Sequence, residues 1–195
     1  MTTKEYISVT ETAKLVRAAL KKQFPTIKFS VRSDRYAGGA SIDVRWTDGP
    51  TTAQVDPIIK AYEGGDFDGS IDMATSQSHY LFEDGSTVLA HARGTEGSMG
   101  RIPEVDNRLA GMQEVRFMAD FVFSRRDVTN FVPKCTMAEA MIRRRCICDG
   151  EAPTDRFGGH WVQNLATALV YGHAEDETWD TAFNRIVLRN PTEEE

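Results

Sequence analysis

The sequence predicts an α+β protein: a helix–hairpin–helix–antiparallel sheet arrangement followed by a C-terminal helical segment. Three observations predict it. Apolar residues recur at three- and four-residue steps in some stretches and at every second residue in others. The period-two segments come in adjacent pairs separated by turn residues, which makes hairpins rather than repeated βαβ crossovers. Beyond Pro133 the pattern turns helical. A chain of 195 residues with 41% hydrophobic and 27% charged residues has a globular composition. A chain of this size buries roughly 70% of the surface it exposes when unfolded, so it needs no disulfide or metal staple.

Ser8 and Glu11 have the S-x-x-E spacing of a capping box, in which each side chain satisfies the other residue's backbone N–H. Val9, Ala13, Val16 and Leu20 follow as one stripe, and Pro25 ends the helix because its ring disfavours a helical residue before it. Ile27, Phe29 and Val31, then Ile42, Val44 and Trp46, alternate with polar residues and form a hairpin around SDRYAGG, expected as a turn or mobile loop. Val55, Ile58, Ile59 and Tyr62 have helical spacing, with Pro57 tolerated in the first turn. The run EGGDFDGSID breaks that helix. HYLF and TVLAHA then pair as a second hairpin across Asp84-Gly85.

Residues 93–107 hold three glycines, one proline and little apolar content, which suits a connector. The expected division is therefore an α+β domain over 1–92, then a strand plus helical region over 108–195 that either stands alone or completes the first. Val115, Phe117, Ala119, Phe121 and Phe123 alternate with other residues, so this stretch is predicted to be one strand whose two faces differ; Glu, Arg, Met and Ala would also permit a helix, but the alternation and the Phe/Val content favour the strand. Thr136 and Glu139 repeat the capping-box spacing and predict a helix start at Thr136. Residues 160–172 predict a helix with Trp161, Leu165, Ala168 and Leu169 on its apolar side and Gly172 as its stop. Residues 175–189 predict a last helix, acidic at its start and carrying Arg185 and Arg189 near its end.

The formal net charge is −6, which argues against a uniformly basic nucleic-acid binder. The charge is unevenly placed. Residues 101–148 carry nine Lys+Arg against six Asp+Glu, a net of +3, whereas residues 149–195 carry three against ten, a net of −7. No apolar run approaches the roughly 20 residues that span a membrane, and the N-terminal residues lack a secretory h-region. The three cysteines, an odd number, read as reduced thiols, and the expected location is a host-cell cytoplasm.

The leading helix, the run KFSVRSDRYAGGASIDVRW and a second helix ending in F-D-G-S-I-D together resemble a large polyvalent-protein-associated domain family. Its members are small domains carried by proteins of phages and conjugative elements. The resemblance covers roughly residues 7–80. The family has no established catalytic residues, so none is carried over. The resemblance implies a non-enzymatic interaction protein that travels with mobile DNA. The expectation is a counter-defence inhibitor of the anti-CRISPR or anti-restriction type, with a host defence protein or nucleoprotein complex as its partner and no cofactor.

Several residue groups are candidates for that work. Glu63, Asp66, Asp68 and Asp72 form an acidic run that can imitate phosphate charge. Arg125, Arg126, Arg143, Arg144 and Arg145 offer guanidinium groups for phosphate, which is the alternative reading as a nucleic-acid-binding accessory protein. Tyr36 and Phe67 stand beside glycine and charge as aromatic anchors for a protein partner; covering the edge of the core is the equally ordinary role. Cys135, Cys146, Cys148 and His160 supply a zinc donor set, but C-x-C lacks the spacing of a zinc ribbon or knuckle, and buried thiols are the ordinary reading. The run from Asp66 to Asp72 has alternate oxygen ligands, yet places Ile71 and Gln77 where a calcium loop needs Gly and Glu. His79, His91, His160 and His173 fall in no catalytic motif, and Gly38-Gly39 and Gly64-Gly65 lack the surroundings of a phosphate loop. A small hydrolase or modifying enzyme built on a Cys/His pair is the remaining alternative.

Overall fold

A computed structural model describes residues 5–69, 72–92, 114–148, 156–157 and 160–188, without the side chains of 68, 91, 92 and 146–148. The 93–107 connector lies outside the described residues. Contacts divide the chain into two compact units, Met1–Trp46 with Gln54–Arg125, and Thr47–Ala53 with Arg126–Glu195. Strands and helices are both present, as the α+β prediction requires.

The first unit opens with β1 (Glu5–Ile7) and α1 (Val9–Gln23). The capping box forms: Glu11 N donates to Ser8 Oγ at 3.3 Å, and Ser8 N donates to Glu11 Oε2 at 3.2 Å. The predicted stripe Val9, Ala13, Val16 and Leu20 is buried. β2 (Ser30–Tyr36) and β3 (Gly39–Thr47) pair antiparallel from Ser30↔Arg45 to Tyr36↔Gly39. Most of the expected loop is therefore strand. Only Ala37 and Gly38 turn the chain, and Gly38 sits at φ 98°, which a residue without Cβ adopts at no steric cost. α2 (Thr52–Ile59) runs on into a 3-10 turn, Lys60–Tyr62, and buries Val55, Ile59 and Tyr62.

A five-stranded sheet follows the order β1-β7-β5-β4, with β6 also paired to β5. Its further members are β4 (Gly65–Asp68), β5 (Met73–Leu81), β6 (Thr87–Ala92) and β7 (Glu114–Phe117). β4 and β6 pair with different halves of the long β5, the first from Asp68↔Met73 to Gly65↔Ser76, the second from Gln77↔Ala92 to Leu81↔Thr87. The β5–β6 turn uses Asp84-Gly85 as predicted, with Gly85 at φ 81°. Asp84 Oδ1 accepts from Ser86 N at 3.0 Å and from Ser86 Oγ at 2.5 Å.

The stretch read as one strand is two. β7 ends at Phe117 and β8 begins at Phe121 (Phe121–Asp127), and β8 joins a second sheet in the order β2-β3-β8. The break shifts the alternation by one residue. Val115, Phe117 and Ala119 are buried, but beyond the break Val122 is buried while Phe123 is exposed. A one-residue slip of this kind exchanges the two faces of a strand.

Glycines hold this break. Gly64 N donates to Ala119 O at 2.8 Å and Gly65 N to Asp120 O at 3.0 Å. A Cβ on Gly64 would collide with the Phe117 carbonyl, and one on Gly39 with the Asp120 carboxylate. Gly39, Gly64 and Gly65 are thus needed for close packing, whereas Gly38 is needed for its turn conformation.

The second unit contains α3 (Phe131–Cys148), a short antiparallel pair β9 (Arg156–Phe157) and β10 (His160–Trp161), α4 (Val162–Gly172) and α5 (Trp179–Phe183) with a π-helical end, Asn184–Leu188. α3 starts six residues earlier than an N-cap at Thr136 predicts. Pro133 lies in its first turn, where the missing N–H has no intrahelical partner to lose, and Thr136 is an interior residue whose hydroxyl donates to Val132 O at 3.1 Å. α4 ends at Gly172 as predicted, but it buries Val162, Leu165, Ala166, Leu169 and Val170, and leaves Trp161 exposed. Residues 175–178 are not helical. Thr178 caps α5 by accepting from Thr181 N at 3.2 Å, and Glu177 accepts from Ala174 N at 2.9 Å. Ala138, Ile142, Leu165, Leu169, Ala182 and Phe183 are central to this unit's own core. Among the described residues no helix is long and apolar enough to cross a membrane.

Two outcomes follow from this packing. Gly64→Ala is expected to destabilise the protein by at least about 2 kcal/mol, because the clash is with backbone. Gly69→Ala, where a Cβ meets nothing within 4 Å, is expected to stay within about 0.5 kcal/mol of wild type in urea denaturation. The Ser86 hydroxyl and amide, then Lys22, hold the Asp84 carboxyl down to about 2. Its contribution to stability is therefore present above the ordinary carboxylate range and is lost as pH falls towards 2. An NMR titration of Ser86→Ala is expected to show the Asp84 midpoint moving upward.

Candidate interaction surfaces

In the first unit, Tyr36 ends β2 and Phe67 lies on β4, and each is 50% exposed. Tyr36 lies close over Gly39, so the missing side chain there makes room for its ring. Phe67 alternates with Asp66, which is partly buried. Phe123 is a further half-exposed aromatic, with its ring centroid 6.1 Å from that of Phe121 and 5.8 Å from the Lys60 ammonium.

The acidic run is not a uniform outward face. Glu63 has a side chain only 14% exposed, and its Oε1 accepts from Val122 N at 2.7 Å and from Lys60 Nζ at 2.6 Å. That carboxylate satisfies a strand edge. Asp72 is exposed and left-handed at φ 52°, and the Asp68 side chain lies outside the described residues.

The arginine set also divides. Arg125 is exposed and belongs to the first unit. Arg126, in the second, is 7% exposed and serves the backbone. It donates from one terminal nitrogen to Tyr171 O at 2.8 Å and His173 O at 3.1 Å, and from the other to Gly49 O at 3.0 Å. Burial pulls its pKa down, while Asp48 and Glu175 oppose that. Arg143, Arg144 and Arg145 are consecutive on α3, so their directions differ by about 100° per residue. Arg144 and Arg145 line a groove of about 380 Å³ with Met141, Asp180, Phe183 and Asn184.

Cys135 is a free, partly buried thiol hydrogen-bonded to Thr167, and burial pushes its pKa up, which disfavours the nucleophilic thiolate. His160 is exposed on β10, and the Cys146 and Cys148 side chains lie outside the described residues. Among the described residues no three His, Cys, Asp or Glu side chains group to hold a metal ion. In the acidic run read for calcium, residues 70 and 71 lie outside the description.

The second unit holds a further cluster that no sequence motif marks. Asp48, left-handed at φ 55°, accepts from Thr129 N at 3.0 Å and Thr129 Oγ1 at 2.6 Å and pairs with Lys134 at 3.5 Å. Glu175 Oε1 accepts from Gly49 N at 2.9 Å. His173 stacks on Trp179 with ring centroids 4.0 Å apart. Its only sequence signal is the Asp-Gly-Pro turn after β3, which announces a turn but not what the turn packs against.

The model of large polyvalent protein associated domain 29 matches residues 7–129. The chain belongs to this family. The match takes in β2 through β8 and ends just before α3, so it includes the Asp48-Gly49 turn and Arg126. Membership places the protein with the polyvalent proteins of phages and other mobile elements. No curated protein and no solved structure matches the chain significantly.

Arg126→Met is expected to cost roughly 3 kcal/mol or more, because it strands three carbonyls. Arg144→Met, on the groove rim, is expected to change stability by no more than about 0.5 kcal/mol in the same denaturation assay.

Proposed function

We propose that this protein is a non-enzymatic interaction protein of a phage or mobile element, acting as a counter-defence inhibitor that occupies a host nucleic-acid-targeting complex in the cytoplasm. The observation that carries this reading is the pair of half-exposed aromatics, Tyr36 and Phe67, within the family-matched domain. Rigid aromatic rings on strands lose little conformational freedom on docking and dominate binding energy where they fill pockets. Asp66 and Asp72 supply negative charge on the same β4–β5 hairpin region. A basic nucleic-acid groove is the complementary surface.

A second reading is favoured by one feature, the Arg144 and Arg145 groove above Met141 and Phe183, which suits direct contact with phosphate-bearing nucleic acid. One titration separates the readings. A purified host restriction or CRISPR effector complex is assayed for nuclease activity against increasing inhibitor. Counter-defence by docking is expected to give a fixed stoichiometric endpoint, with Tyr36→Ala and Phe67→Ala each weakening inhibition by about tenfold or more. Loss of inhibition only in Arg144→Ala with Arg145→Ala favours the second reading. Complete inhibition at far below one inhibitor per complex would indicate catalysis and overturn both.

A further inference from the structure

Among the described residues of the second unit, two buried nitrogens meet no protein hydrogen-bond partner, and the residues that carry them line the same cavity. They are Nε of Arg126 and Nε2 of His173. The cavity has a volume of about 110 Å³ and is also lined by Asp48, Val128, Lys134, Val170, Glu175 and Trp179. Arg126 is more than nine-tenths buried, and both of its terminal nitrogens are committed to backbone carbonyls. Its Nε–H therefore remains as a fixed donor. Buried donors of this kind are ordinarily matched by an acceptor, from protein, water or a bound ion.

The chemistry of the lining selects the acceptor. The His173 ring bonds the backbone of Glu177, which leaves Nε2 as the nitrogen turned to other partners. With the ring neutral, Arg126 and Lys134 balance Asp48 and Glu175. With the ring protonated, the lining carries one excess positive charge and Nε2 becomes a second donor beside Arg126 Nε. Both carboxylates already hold donors, Asp48 from Thr129 and Lys134, and Glu175 from Gly49. Glu177, the remaining acid facing the ring, is paired with Arg185. One monovalent anion seated there cancels that excess charge and accepts from both nitrogens at once.

We propose that the cavity beside Arg126 binds a small monovalent anion, of halide or nitrate size, and takes it up together with a proton on His173. Burial, the largest influence on the ring, holds the empty site's His173 pKa below its ordinary value. The anion then acts against burial by favouring the imidazolium. This inference does not depend on the proposed function.

The test is an NMR titration of the histidine ring nitrogens in the full chain, with His173 assigned by its loss in His173→Gln. Chloride is the probe, and gluconate, too large for the cavity, replaces it at constant ionic strength. Anion binding to the protonated ring alone is expected to raise the His173 midpoint by about one pH unit for each tenfold increase in chloride once the site fills. Lys134→Met is expected to weaken that dependence while the protein stays folded. No shift with chloride, or an equal shift with gluconate, would overturn the proposal.

Discussion

The first unit is organised around one bend, Met118–Asp120, where the chain leaves the five-stranded sheet and enters the three-stranded one. Four of its backbone groups are engaged at once. Met118 N donates to Ile7 O at 2.9 Å, Asp120 N donates to Ala40 O at 2.8 Å, and the Ala119 and Asp120 carbonyls accept from Gly64 and Gly65. The Asp120 carboxylate closes the set by accepting from Ala40 N at 3.0 Å. Strands β1, β3, β4, β7 and β8 therefore depend on a segment three residues long. Backbone polar groups away from water must be paired, and side chains at Gly39, Gly64 or Gly65 would push these partners apart.

The same economy governs the charges. Glu63 and Arg126 look in the sequence like members of outward acidic and basic patches, yet each spends its charge on buried or partly buried backbone. A buried charge with several hydrogen bonds is strongly destabilising to remove, whereas an exposed arginine is cheap to replace. Tyr36, Phe67, Asp72, Arg144 and Arg145, by contrast, are exposed. The net charge of −6 accordingly says little about which face meets a partner.

Local signals were legible where a local rule decides the outcome. The Ser8–Glu11 box, the α1 stripe and the Asp84-Gly85 turn each rest on neighbours within a few residues. Legibility failed where distant partners decide. The alternation from Val115 to Phe123 continues through the bend, and only hydrogen bonds to Ala40, Gly64 and Gly65 reveal that the strand is interrupted. Thr136 and Glu139 matched a capping pattern, but Pro133 fits the first turn of a helix that had already begun. The Asp48–Arg126–His173 cluster joins residues more than 100 positions apart in the chain, and no spacing rule reaches across that distance.

Family membership adds a context that geometry alone does not contain: a domain of polyvalent proteins that move with phages and related elements. The matched residues carry the bend and both Gly-Gly pairs, so the account makes the bend the structural centre of the family domain in this chain. Amide hydrogen exchange on the native protein measures this directly. The account predicts that the Ala40, Gly64, Gly65, Met118 and Asp120 amides exchange among the slowest of the first unit, with protection equal to its global unfolding free energy. Fast exchange at these amides, while the α1 and β3 interiors stay protected, would contradict it.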